Sequence, residues 1–86
     1  MSTFLQLSAV KILRTGADGG HLYVSGRGEL PDQGACDVYV FFRTKDEERI
    51  FEHQFSGQSV VIETDSVEFA PSVGGVVREM VSWRLI

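Results

Sequence analysis

The sequence has a single cysteine, Cys36, so no disulfide can close within the chain, and a disulfide-stapled fold is excluded. It also lacks an apolar run of membrane-spanning length. The opening stretch Met1 to Arg14 is interrupted by Gln6, Ser8 and Lys11 and has no basic region ahead of its apolar residues, so it reads as a poor secretory leader and as too short and polar to span a bilayer. These absences lead us to expect a cytoplasmic chain with no membrane partner. Excess positive charge is missing too. Eight Lys and Arg against twelve Asp and Glu leave a formal net charge of −4. Phosphate-backbone binding relies on clustered cations, so no nucleic-acid partner is expected.

Residue spacings that carry chemistry are equally scarce. His21, His53 and Cys36 stand at no metal-ligand spacing, with neither a Cys-x-x-Cys nor a His-x-x-x-His. Cys36 is followed by Asp37, not by the cationic surroundings that activate a thiol, and it opens an apolar stretch as a small buried hydrophobe would. No serine lies within Gly-x-Ser-x-Gly. Gly26 and Gly28 form a Gly-x-Gly inside an alternating stretch, where close packing of another strand explains them better than a phosphate does. Glu63, Asp65 and Glu68, with the loop acids Asp18, Asp32 and Asp37, offer carboxylates for calcium but match no EF-hand loop. Neither a catalytic residue, a metal nor a cofactor is therefore expected. A minimal enzyme or a small-ligand or calcium binder is the weakest of the readings.

What is present is apolar material arranged with period two. With 86 residues, 43% of them hydrophobic and six of them Phe, the chain can build one core in one domain spanning residues 1–86. Alternation predicts strands near 3–14, 21–30, 36–44, 49–56, 59–64, 66–70 and 76–86. Turn residues separate them at 16–20, 31–34, 45–48, 56–57 and 71–75. The last segment also fits a short helix, but its β-branched residues and Trp83 favour a strand.

The first strand changes phase. Leu5 and Leu7 alternate on odd positions, Val10 and Ile12 on even ones, and twelve extended residues would span ~40 Å. A bulge near Ser8-Ala9 would let the strand turn a corner between two sheets. The fold class expected is thus all-β: a small antiparallel β-sandwich of six or seven strands, immunoglobulin-like in architecture, with a partly open barrel as the alternative.

The charged run Lys45 to Glu48 reads as the tip of a hairpin that pairs Thr44 with Arg49 and Phe42 with Phe51. Val38, Val40, Phe42, Phe51, His53 and Phe55 would then form its core face. The opposite face would hold Tyr39, Phe41, Arg43, Ile50, Glu52 and Gln54. A two-layer fold buries one face of each sheet, so this surplus aromatic face calls for a cover. Tyr39 and Phe41 are the expected anchors of a protein-binding site, with Ile50 extending it and Arg43 and Glu52 at its rim. Arg78 and Arg84 would extend such a patch. The function expected is that of a non-enzymatic protein-binding module, in the manner of small inhibitors and phage-type accessory proteins. The alternative is a structural subunit that binds copies of itself.

Overall fold

A computed structural model describes residues 2–16 and 20–86. The part of the expected 16–20 turn formed by Ala17, Asp18 and Gly19 lies outside them. Seven strands follow the alternation of the sequence: β1 (Thr3–Arg14), β2 (Leu22–Leu30), β3 (Gly34–Phe41), β4 (Val60–Thr64), β5 (Glu68–Ala70), β6 (Gly74–Val77) and β7 (Met80–Leu85). One helix, α1 (Lys45–Gln54), stands between β3 and β4. The strands form one sheet in the order β5-β6-β3-β2-β1-β4-β7, which does not close into a barrel. Among the described residues no helix is long and apolar enough to cross a membrane.

The corner expected in β1 is present. Ser8 pairs with Arg27 and Lys11 with Ser25, so the register slips across Ala9, whose φ of 52° is left-handed. Residues on the N-terminal side of the slip pair with β4 (Leu5 with Ile62, Leu7 with Val60), and those beyond it pair with β2 (Ile12 with Val24). The slip restores the inward direction to Val10 and Ile12, so one strand serves two layers with different phases. Between the layers lie Leu5, Leu7, Leu22, Val24, Leu30, Val38, Val40, Val60, Ile62, Val77 and Met80, all buried. Gly26 and Gly28 lie under the corner, where a Cβ on Gly26 would come within 3.0 Å of Leu7 Cβ and of the Ser8 carbonyl oxygen. Strand packing is therefore the reason for the Gly-x-Gly.

Three expectations need correction. The first concerns the sheet, which is mixed, because β3 and β6 run parallel (Val38 with Gly75, Val40 with Val77). A parallel pair needs a long connection, and the chain from α1 through β4 and β5 supplies it. Gly74 makes the approach possible: its φ is 122°, and a Cβ there would collide with the Asp37 carbonyl oxygen at 2.2 Å. The second concerns the C-terminal segment. It is extended, without the alternative helix, but it is broken at Arg78 and Glu79 into two strands, β6 next to one edge of the sheet and β7 at the other. A register shift in β7 against β4 then makes Met80, not Val81, the buried residue.

The third is the hairpin after β3, which does not form. Thr44 has extended backbone, and its hydroxyl accepts a hydrogen bond from the Glu47 N–H at 3.2 Å, so it caps a helix. Asp46, Glu47 and Glu48 fill the first turn, where the positive end of the helix dipole favours acids. Arg49 bonds to Asp46, three residues earlier on the same helix face, and Arg43, just ahead of the cap, lies 3.6 Å from Glu47. The inward residues are then Glu48, Phe51 and, half-buried, Phe55. Phe51 lies against Phe42 (ring centroids 5.2 Å), Phe55 (5.3 Å) and the edge of Trp83 (5.0 Å), so α1 closes the helix end of the core. His53, expected in the core, is exposed in the last turn.

Two substitutions separate the helix from the hairpin. Phe51→Ala should cost about 3–5 kcal/mol, a large share of the stability of so small a domain. His53→Ala should cost less than about 0.5 kcal/mol, because its side chain faces water. Urea unfolding of both variants checks the pair, and a cost at His53 comparable to that at Phe51 would restore the hairpin.

Candidate functional site

The register of β1, β2, β3 and β6 fixes what the outer side of their layer carries. Leu22, Val24, Val38, Val40 and Val77 point into the core, so their neighbours point out. Leu13 is opposite Tyr23 and Tyr23 opposite Phe41, which makes one outward row across three strands. Lys11, Ser25, Tyr39 and Val76 make the next. Tyr23 stacks on Phe41 with ring centroids 5.1 Å apart and planes 20° apart, and Tyr39 tilts against Tyr23 at 6.4 Å. Tyr23, Tyr39, Phe41 and Val76 are half-buried by one another, and Leu13 is 36% exposed.

Tyr39 and Phe41 therefore share an outward aromatic face, as their alternation with Val38, Val40 and Phe42 requires. The other residues expected beside them are elsewhere. Ile50 and Glu52 belonged to the face only through the hairpin. On α1, Ile50 is 50% exposed on the solvent side, and Glu52 forms an ion pair with Arg14 at 2.5 Å. Arg43 follows the end of β3 and reaches the carbonyl oxygen of Val81 on β7 at 3.5 Å. Tyr23, Leu13 and Val76 take the vacated places. Tyr23 was within reach of the sequence, since Leu22 and Val24 alternate around it, but its position beside Phe41 is a matter of register.

Two hollows flank the aromatic rows. One, of about 260 Å³, is lined by Ala9, Lys11, Ser25, Arg27, Asp37 and Tyr39. The other, also about 260 Å³, is lined by His21, Phe41, Phe42 and Arg78. Two acids of this face are held by its arginines (Asp37 lies 3.3 Å from Arg27, and Glu68 lies 2.6 Å from Arg78), while Glu29, exposed on the same side of β2, forms no ion pair among the described residues. Lys11 is exposed and forms no ion pair among the described residues.

The candidate metal ligands stay apart. Glu63 accepts a hydrogen bond from Ser82, Asp65 from Ser2 and Glu68 from Arg78, each engaged with a different partner. His21 Nδ1 lies 3.3 Å from Glu48, whereas His53 is on the far side of α1 from the core and Cys36 is half-buried against it.

Glu48 is the one buried carboxylate among the described residues. Burial works to raise its pKa, but the Leu22 N–H at 3.0 Å, His21 and Lys45 together outweigh it, and the carboxyl titrates below the ordinary glutamate range. These bonds tie α1 to the start of β2, next to Tyr23. No protein-family model, curated protein or solved structure matches the chain.

A lowered pKa in the folded state stabilises the fold above the unfolded value of about 4.3 and loses that contribution as pH falls through the folded one. At pH 7, Glu48→Gln should be less stable than the parent by about 1–2 kcal/mol, because a charge-assisted hydrogen bond becomes a neutral one. The gap should narrow as pH falls from 5 to 3. Urea unfolding of both proteins across that range checks it, and a gap independent of pH would contradict the assignment.

Proposed function

We propose that this chain is a non-enzymatic protein-binding module that holds its partner against the outward face of β1, β2, β3 and β6. The observation that carries the reading is the contiguous row Leu13, Tyr23 and Phe41, with Tyr39 and Val76 beside it. Tyrosine and phenylalanine give large contact areas at small entropic cost, and the tyrosine hydroxyls can both donate and accept. Such rings are the side chains that dominate interface energies. The other large exposed apolar residues (Phe4, Ile50, Phe69, Val73 and Ile86) adjoin no comparable stack of rings, and single exposed apolar residues are ordinary surface.

The polar groups on the face favour binding over chemistry. Arg27 with Asp37 and Arg78 with Glu68 engage each other as ion pairs, which suits rim contacts better than proton transfer. Residues 39 and 41 remain the anchors expected from the sequence, now with Tyr23 as their neighbour. Ile50 and Glu52 drop out of the proposed surface.

The test is affinity capture from source-cell lysate with the parent and with Tyr39→Ser/Phe41→Ser, after circular dichroism and mass confirm that both baits are folded and of known size. A protein retained by the parent and lost by the folded double variant is the expected result. Equal capture by both baits would move the binding surface away from this face.

A further inference from the structure

We propose that β7 pairs edge to edge with β7 of a second copy of this chain, an inference that does not rest on the aromatic face. β7 ends the sheet order, so only one of its sides is paired, with β4. The ladder shows which backbone groups are left over. The Ile86 N–H donates to the Ser59 carbonyl at 2.9 Å, one step beyond the pair Val60 and Leu85. Bonded and unbonded pairs alternate along an antiparallel ladder. Ser82, Arg84 and Ile86 therefore bond to β4, whereas the N–H and C=O groups of Trp83 and Leu85 point away from it. Nothing among the described residues bonds to those four groups. The Val81 carbonyl accepts from Arg43 at 3.5 Å and keeps a second lone pair. Such an edge is a template for another strand. The opposite edge, β5, has three residues against six in β7. The register shift near Val81 keeps the regular stretch short, which makes the pairing reversible.

Charge selects a second copy as the occupant. On the side of the sheet away from the core, Glu63 is opposite Ser82 and Val61 opposite Arg84. Neither Glu63 nor Arg84 forms an ion pair among the described residues. A two-fold axis at Trp83 sets Trp83 opposite its own copy, Val81 opposite Leu85 and Ser82 opposite Arg84. The free groups of Trp83 and Leu85 are then bonded. Glu63, Ser82 and Arg84 of the second copy form one row, and symmetry repeats it. From β4 to β7 of the second copy is two strand spacings, roughly 10 Å, which a glutamate and an arginine side chain close over the small Ser82. The neighbouring registers fit worse. Centring on Arg84 opposes two arginines, and centring on Ser82 leaves Leu85 beyond the end of the partner strand. On the core side, the half-buried Val81, Trp83 and Leu85 of each copy cover those of the other. The contact closes at two copies. No residue of the aromatic rows lies on β4 or β7, so both aromatic faces stay uncovered.

Sedimentation equilibrium between about 10 μM and 1 mM should show the mean mass climb from that of one chain toward that of two. Over the same range, NMR-detected deuterium exchange should slow at the Trp83 and Leu85 amides by about threefold or more, and not at Ser82 and Arg84. Arg84→Glu alone and Glu63→Arg alone should each weaken association by about tenfold, because each sets like charges in both rows. Mixing the two variants should restore it, since every row then holds opposite charges. No contact within one chain can produce that rescue, and the spectra report whether each variant is folded. A single-chain mass at every concentration would overturn the proposal. Association that leaves the Trp83 and Leu85 amides unchanged, or that shifts Tyr23, Tyr39 and Phe41 instead, would overturn it too. Association that neither variant weakens, or that the mixture fails to restore, would overturn the paired row and with it this arrangement. The capture experiment judges the aromatic face independently.

Discussion

The structure depends on the close crossing of β1 over β2. Leu7 and Ser8 pass so near Gly26 that even a single Cβ there would be tight, at 3.0 Å from Leu7 Cβ and from the Ser8 carbonyl oxygen. The left-handed residue Ala9 then turns the strand, so that Leu5 and Leu7 face the core in one layer and Val10 and Ile12 face it in the other. Without the slip, the second half of β1 would direct Lys11 and Leu13 inward and leave Val10 and Ile12 in water, an exchange no small core could absorb. The same slip places Lys11 and Leu13 on the outer side, where they complete the rows begun by Tyr23 and Phe41. Core and candidate binding face are thus two consequences of one irregular residue in β1.

Closure of the helix end is a second, separable constraint. Phe51 is the large side chain that fills the space between Phe42, Phe55 and Trp83, and Glu48 fixes α1 to the backbone of Leu22. Leu22 begins the strand that carries Tyr23. The helix therefore stabilises the end of the sheet on which the aromatic face is built, although none of its residues belongs to that face. Arg43 makes a further link by donating to the Val81 carbonyl of the edge strand β7, and the register shift in the same strand leaves less regular backbone for another chain to pair with.

Much of this was legible in the sequence, and what was missed has identifiable causes. The phase change in β1, the packing role of Gly26 and Gly28 and the outward direction of Tyr39 and Phe41 all follow from period-two alternation, which acts locally. The helix was hidden because Phe51 and Phe55 lie inward under either period: 51, 53 and 55 suit a strand, and 48, 51 and 55 suit a helix. The discriminating signal was Thr44-x-x-Glu47 followed by acids, the pattern of a helix start, and it carries more weight than the turn-like charge run. The parallel pairing of β3 with β6 had no local signal, since it joins segments separated by a helix and two strands. For the same reason the sequence placed Tyr39 and Phe41 on a face but not Tyr23, Leu13 and Val76 beside them. The two hollows depend on four chain segments meeting and were not foreseeable.

The claim on which the rest stands is that β1 crosses directly over Gly26. Urea unfolding of Gly26→Ala tests it by sign. Where a strand glycine has room and ordinary backbone, alanine stabilises a fold by about 0.4–1 kcal/mol through the unfolded chain. Here the added methyl meets Leu7 Cβ and the Ser8 carbonyl oxygen at 3.0 Å, so the variant should lose about 1–3 kcal/mol. A variant as stable as the parent, or more so, would contradict the tight, unyielding packing of β1 over Gly26 on which this account rests.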